Sequence, residues 1–253
     1  AVLLGLGNSV FHPADYAILN HHITASRMAR AFSVHTIGGT IGWAIAPLIM
    51  ASSAALVSWR FALVLDALIG LGLTLRILVS RRTQEKTGQA QSGDAVARRR
   101  ARGALVGLFL SAPILLCFAF FTLQASGFLA VQSFMPLALH ELFGTPMVIA
   151  TGTITAFMLG SAMGTLGGGM MADASGRFQA IIAAGLALSA LLLLVVGYVP
   201  LAPAALFGVL AIAGALQGMT TPARDMLVRS ATPPGSSGKV YGFVYSGLDL
   251  GAT

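Results

Sequence analysis

The chain has 253 residues, of which 56% are hydrophobic and only 9% charged, and its mean hydropathy is +0.84. Soluble domains carry roughly 25% charged residues to cover their surface, so this composition excludes a soluble globular domain. The net charge of +7 raises nucleic-acid binding. The cations, however, sit in short polar stretches beside long apolar runs, where the positive-inside rule places them, and no nucleic-acid partner is expected.

In chain order, the first apolar run covers 1–19 and begins AVLLGLG, which reads as helix interior with no charged region before it. A loop at 20–30 carries His21, His22, Arg27 and Arg30. Runs at 31–50 and 59–79 follow, then the basic stretch 80–102, which holds seven of the fifteen Lys and Arg residues. The run 105–137 is too long for one simple span; its start is expected to lie along the interface or to kink near Pro113, because proline removes a helix hydrogen bond. A turn at 140–146 leads to runs at 147–171, 179–199, 202–221 and 240–253. About twenty apolar residues cross the hydrocarbon as helix, and the alternation of a membrane barrel strand is absent. The fold class expected is all-α integral membrane.

The last run stops after too few residues to cross, so both ends read as cut inside helices and the chain as part of something longer. If each run crosses once, every cation except Arg60 falls on one side, which is then cytoplasmic. The expected organisation is 1–79 as the end of an N-terminal bundle with three spans, 80–104 as a cytoplasmic basic linker, and 105–253 as a C-terminal bundle with five spans. The linker's cations would hold orientation and meet anionic headgroups. Cys117 lies in an apolar run and reads as packing.

An internal repeat runs at an offset of 209 residues: Gly5 lies over Gly214, Pro13-Ala14 over Pro222-Ala223, and Arg30 over Lys239. Phe32 lies over Tyr241, and Gly38 and Gly42 over Gly247 and Gly251. Each copy runs span, loop, span. Two parallel halves joined by one long loop is an arrangement that transporters use.

Gly169, Asp173, Gly176 and Arg177 form a Gly-x-x-x-Asp-x-x-Gly-Arg turn between two spans. Glycine permits close helix approach and a tight turn, and Asp173 can accept from a neighbouring helix N-terminus. Arg177 can pair with a carboxylate. This turn resembles the cytoplasmic gate motif of the major facilitator superfamily, in the copy between spans eight and nine. The family's copy often has a basic residue after the aspartate; Ala174 stands here. The resemblance implies a helical bundle with two pseudo-symmetric halves, incomplete at both ends, covering spans four to ten and most of eleven. Residues 5–19, with Phe11-His12-Pro13, resemble the fourth span of fosmidomycin-resistance-type efflux members.

Gly38, Gly42 and Pro47 resemble the glycine-proline motif of proton antiporters, with Ala46 where a glycine is usual; generic helix packing is the alternative. Gly160, Gly164 and Gly168 read as a packing face. The family's cavity is lined largely by spans one, four, seven and ten, which implies Asn8, His12, Gln124, Gln132 and Gln217 as substrate-binding residues, with Ser126 nearby. Hydrogen bonding between helices is the alternative. Among His12, His35, Asp66 and Asp249, Asp249 in span eleven is the proton-coupling candidate, since an intramembrane carboxylate is a functional hypothesis by default. His21 and His22 point apart on a helix, and no metal site, catalytic cluster or phosphate loop is read.

The resemblance thus implies a monomeric secondary transporter working by alternating access, with proton-coupled efflux of a small organic compound or drug favoured. It would need a proton gradient and no bound cofactor. It would be a multi-pass protein of the cell membrane, in a bacterium the inner membrane, with a small-molecule substrate and the lipid bilayer as partners. Uptake of an organic anion or metabolite is the alternative on the same fold. A non-transporting sensor or a membrane enzyme is the alternative of another class, though no enzyme is expected.

Overall fold

The computed structural model describes residues 11–84, 107–233 and 236–253. Among them every regular element is helical: α1 (Phe11–His22), a 3-10 turn (Ala25–Arg27), α2 (Met28–Leu56), α3 (Trp59–Gln84), α4 (Ala112–Phe143), α5 (Met147–Ser175), α6 (Phe178–Tyr198), α7 (Pro203–Ala231) and α8 (Ser237–Gly251). Five of these, α3 to α7, are long and apolar enough to cross a membrane. Helix is the open-chain form that satisfies its own backbone in hydrocarbon, and the exposed faces of α3 to α6 are studded with leucine, valine and methionine.

The described residues form two compact units. One contains α1, the first residues of α2 up to Ile37, and α4 to α8; the other begins at Gly38 and contains the rest of α2 and α3. The basic stretch expected as a linker starts inside α3, and its residues 85–104 lie outside the described ones.

Three expectations need correction. Pro113 does not kink α4: it lies in the first turn, after Ser111 at the N-cap, where the missing N–H has no helical partner to lose. The turn expected at 140–146 is shorter, because α4 runs on to Phe143 and Gly144 closes it in the left-handed conformation at φ 64°. Arg224 and Arg229, read as loop residues after a span ending at 221, lie inside α7, which continues to Ala231. Hydropathy stops at charges, whereas this helix continues because Arg224, Asp225 and Arg229 each find a side-chain partner.

The α5–α7 interface is built by small residues on both sides. A Cβ on Gly160, Gly164 or Gly168 would run into the backbone of Ala211, Ala215 or Met219 on α7. In return, a Cβ on Gly214 or Gly218 would meet the carbonyls of Phe157 or Ser161 on α5. Four-residue spacing places each set on one helix face, so the backbones approach closely, as small residues allow in membranes. Thr165 Oγ1 donates to the Gly218 carbonyl at 3.2 Å, and Ser189 on α6 donates to the Ala213 carbonyl at 2.9 Å. Helix α8 repeats the device on α4: Gly247 packs on Phe118 and Thr122, and Ser126 Oγ donates to the Gly251 carbonyl at 2.9 Å.

Within the second unit, a Cβ on Gly38 or Gly42 would meet nothing within 4 Å, and α2 passes through Pro47 without ending. Arg60 lies over the Trp59 ring at 4.5 Å.

The glycine face makes a sharp expectation. Gly164→Ala should cost about 1–3 kcal/mol by overpacking, whereas Gly167→Ala, whose Cβ enters open space, should be neutral or slightly stabilising. Thermal melting of the two purified variants checks this.

Candidate functional site

Asp225 is fully buried in α7, and four side chains converge on it. Tyr16 of α1 donates to Oδ2 at 3.0 Å, and Tyr245 of α8 donates to Oδ1 at 2.9 Å. Arg224 donates from Nε to Oδ1 at 3.2 Å, and Tyr245 and Tyr16 also share a short hydroxyl–hydroxyl contact. Tyr241, one turn before Tyr245, donates to the Asp225 backbone carbonyl at 3.0 Å. A carboxylate removed from water costs several kcal/mol unless it is paired and hydrogen-bonded. This one has both.

The partner cation is equally committed. Arg224 Nη1 donates to Gln124 Oε1 of α4 at 2.8 Å, and the guanidinium lies 4.2 Å over the Phe121 ring. Gln124 then donates from Nε2 to Thr220 Oγ1 at 3.3 Å. Thus α1, α4, α7 and α8 meet at one buried polar knot inside an otherwise apolar core of Phe32, Phe121, Met226, Val240 and Val244. Nearer the end of α7, Arg229 Nε donates to Asn20 Oδ1 of α1 at 2.7 Å.

A second polar contact joins α5 to α2. Asp173, in the last turn of α5, accepts from the backbone N–H of Ala29 at 2.9 Å and of Arg30 at 3.3 Å, and from Arg30 Nε at 2.7 Å. It therefore caps the N-terminus of α2, where unsatisfied donors and the helix dipole favour a carboxylate. Gly169 lies one turn earlier; a Cβ there would collide with Ser33. Gly176 ends α5 in the left-handed conformation at φ 62°, which suits glycine. Arg177 is exposed and begins the approach to α6, its N–H donating to Ser175 Oγ at 3.3 Å.

A third cluster lies on α1 and α2. Asp15 Oδ2 is 3.0 Å from His35 Nε2 and 3.6 Å from His12 Nδ1.

This geometry stands beside a decisive likeness: the family model of the Major Facilitator Superfamily matches residues 1–253. The chain belongs to that superfamily. It is 28% identical over 182 residues to the fosmidomycin resistance protein of Escherichia coli (strain K12), a match covering 70% of this chain and 43% of that relative's length. The chain thus spans less than half of the curated relative it matches. No solved structure matches it. As a superfamily member with several membrane-length helices, it is a multi-pass membrane protein.

Of the residues expected to bind substrate in this superfamily chain, Gln124 is joined to the Arg224–Asp225 pair. Gln217 is half-buried on α7, one turn before Thr220, and Gln132 is exposed on α4. His12 Nδ1 lies 3.6 Å from Asp15 Oδ2, and Asn8 lies outside the described residues. Asp249 is exposed near the C-terminal end of α8. Among the described residues the fully buried carboxylate is Asp225, which sequence reasoning passed over, together with Tyr16, Tyr241 and Tyr245. A signal was present: the 209-residue offset that aligns Pro13-Ala14 with Pro222-Ala223 also sets Tyr16 over Asp225 and Asn20 over Arg229.

Breaking one partner of a buried ion pair strands the other. Asp225→Ala or Arg224→Ala alone should each cost about 3–5 kcal/mol, while the joint Arg224→Met, Asp225→Leu change should cost less than either. Thermal denaturation of the detergent-purified variants reads the difference.

Proposed function

We propose that the protein is a secondary active transporter working by alternating access, exporting a small organic compound in exchange for protons. The observation that carries this reading is the buried Arg224–Asp225 pair, set inside a membrane-length helix and held by side chains from three other helices. Ionisable groups in membrane helices are costly and mark functional pathways. The relative's name, fosmidomycin resistance protein, fits export of a small organic molecule.

The contacts between α1 and α7 are the ones that must open and close. Tyr16–Asp225 and Asn20–Arg229 pair each residue with its counterpart 209 positions on, and the rings of Phe32 and Tyr241 do the same at 6.3 Å. Equivalent residues of two repeats touch where a pseudo-two-fold axis passes between them. Rocking of the halves about that axis separates such pairs together. The cap formed by Asp173 on α2 is assigned to the same gate, with Gly169, Gly176 and Arg177 shaping its turn. Asn8, Gln124, Gln132 and Gln217 are the proposed substrate contacts and Asp249 the proposed proton carrier.

Uptake of an organic anion would want a cation free to meet its cargo. Arg224 is a cation within a membrane-length helix, but its Nε and Nη1 are already engaged by Asp225 and Gln124. Export is therefore favoured.

The test is flux in proteoliposomes of the full-length protein with a panel of small organic compounds including fosmidomycin. An imposed pH gradient should drive substrate movement, and Asp249→Asn should abolish that coupling. Flux indifferent to the gradient contradicts proton exchange, and unchanged coupling in the variant removes Asp249 as the carrier.

A further inference from the structure

His12, Asp15 and His35 form a cluster that the transport reading does not use. His12 and Asp15 are three residues apart on α1, hence on one face, and His35 reaches them from the second turn of α2. One donor atom from each lies within 4.8 Å of the other two. His12 Nδ1 and Asp15 Oδ2 are themselves buried, and neither makes a hydrogen bond of good geometry among the described residues, although His35 Nε2 stands 3.0 Å from Asp15 Oδ2.

A buried carboxylate oxygen facing an imidazole nitrogen calls for a cation between them, a proton on the ring or a metal ion. A proton can bridge His35 and Asp15 at 3.0 Å. At 3.6 Å the His12–Asp15 separation is too long for a hydrogen bond. It is close to what a metal ion requires: two donors about 2.1 Å from a tetrahedral ion stand about 3.4 Å apart. The two separations straddle that value.

The surroundings suit such an ion. The rings of Phe11, Tyr16 and Tyr245 enclose the cluster, with centroids between 4.9 and 6.5 Å from the imidazoles. They limit how the imidazoles can turn and lower the local dielectric. The side chains keep partial exposure, 39% for His12, 16% for Asp15 and 25% for His35, which leaves an entry path and room for a solvent ligand in the fourth position. Two imidazoles and one carboxylate form a borderline nitrogen–oxygen donor set that favours zinc, cobalt or nickel over magnesium or calcium.

We propose that His12, Asp15 and His35 bind a divalent transition-metal ion of the zinc class, linking α1 to the start of α2. The site stands independently of the direction or substrate of transport.

The experiment uses the purified full-length protein without a polyhistidine tag, titrated with zinc by calorimetry and with cobalt by visible absorption. A saturable zinc site is expected, with cobalt giving the intense ligand-field bands of a four-coordinate centre. Asp15→Asn and His35→Gln should each weaken zinc binding by about tenfold or more, as loss of a metal-site group does. His140→Gln and a His21→Gln, His22→Gln pair serve as controls and should bind as the parent does. Monodisperse elution and unchanged helical circular dichroism establish that each variant is folded. Should Asp15→Asn fail that check, the His12→Gln variant carries the same expectation. Absence of saturable binding, or equal affinity in parent and folded cluster variants, overturns the proposal and leaves a proton as the bridging cation.

Discussion

The carboxylate of Asp225 is the constraint around which the described core is arranged. It lies in α7 with no exposure to solvent, so every lone pair it offers must be satisfied from within the protein. Tyr16, Tyr245 and Arg224 do this, and each reaches it from a particular helix face. Those reaches fix where α1 and α8 lie against α7, and Arg224 in turn fixes Gln124 and hence α4. Helices in lipid gain little from a hydrophobic drive to associate. One fully satisfied polar knot can therefore specify a packing that apolar contact alone would leave loose. The interlocking glycines of α5 and α7 act differently, since they set how near two backbones come without choosing partners for any charge.

The internal repeat gives the knot its second meaning. Three pairs of residues separated by 209 positions meet: Tyr16 with Asp225 and Asn20 with Arg229 by hydrogen bonds, and Phe32 with Tyr241 edge to face. The repeats have diverged so that the two polar pairs are complementary rather than alike, a phenol against a carboxylate and an amide against a guanidinium. Identical ionised groups at an axis would repel, and unlike ones attract. A seam of this kind can hold one arrangement of the halves firmly and still part as a unit, which alternating access requires.

Much of the fold was legible in the chain because long apolar runs leave few alternatives to helix. The glycines of α5 were recognisable from their four-residue spacing, and so was the capacity of Asp173 to accept from a helix N-terminus. The helix ends were harder. Helix α7 carries Arg224, Asp225 and Arg229 before it stops, and nothing local distinguishes such charges from a solvated loop. Their partners lie on α1, α4 and α8, so only tertiary packing decides. The cluster of His12, Asp15 and His35 escaped notice for the same reason: its third donor is on another helix, and spacing along the chain does not show which turn of α2 faces α1.

The most direct test of the seam is to lock it. Cysteines placed at Asn20 and Arg229 in the full-length protein, otherwise cysteine-free, should be joined by a short reducible bis-thiol reagent in membranes. Joining them should stop substrate flux, and reduction should restore it. A cysteine pair that does not react would contradict the contact itself. A pair that is joined while transport continues unchanged would contradict the claim that α1 and α7 must part.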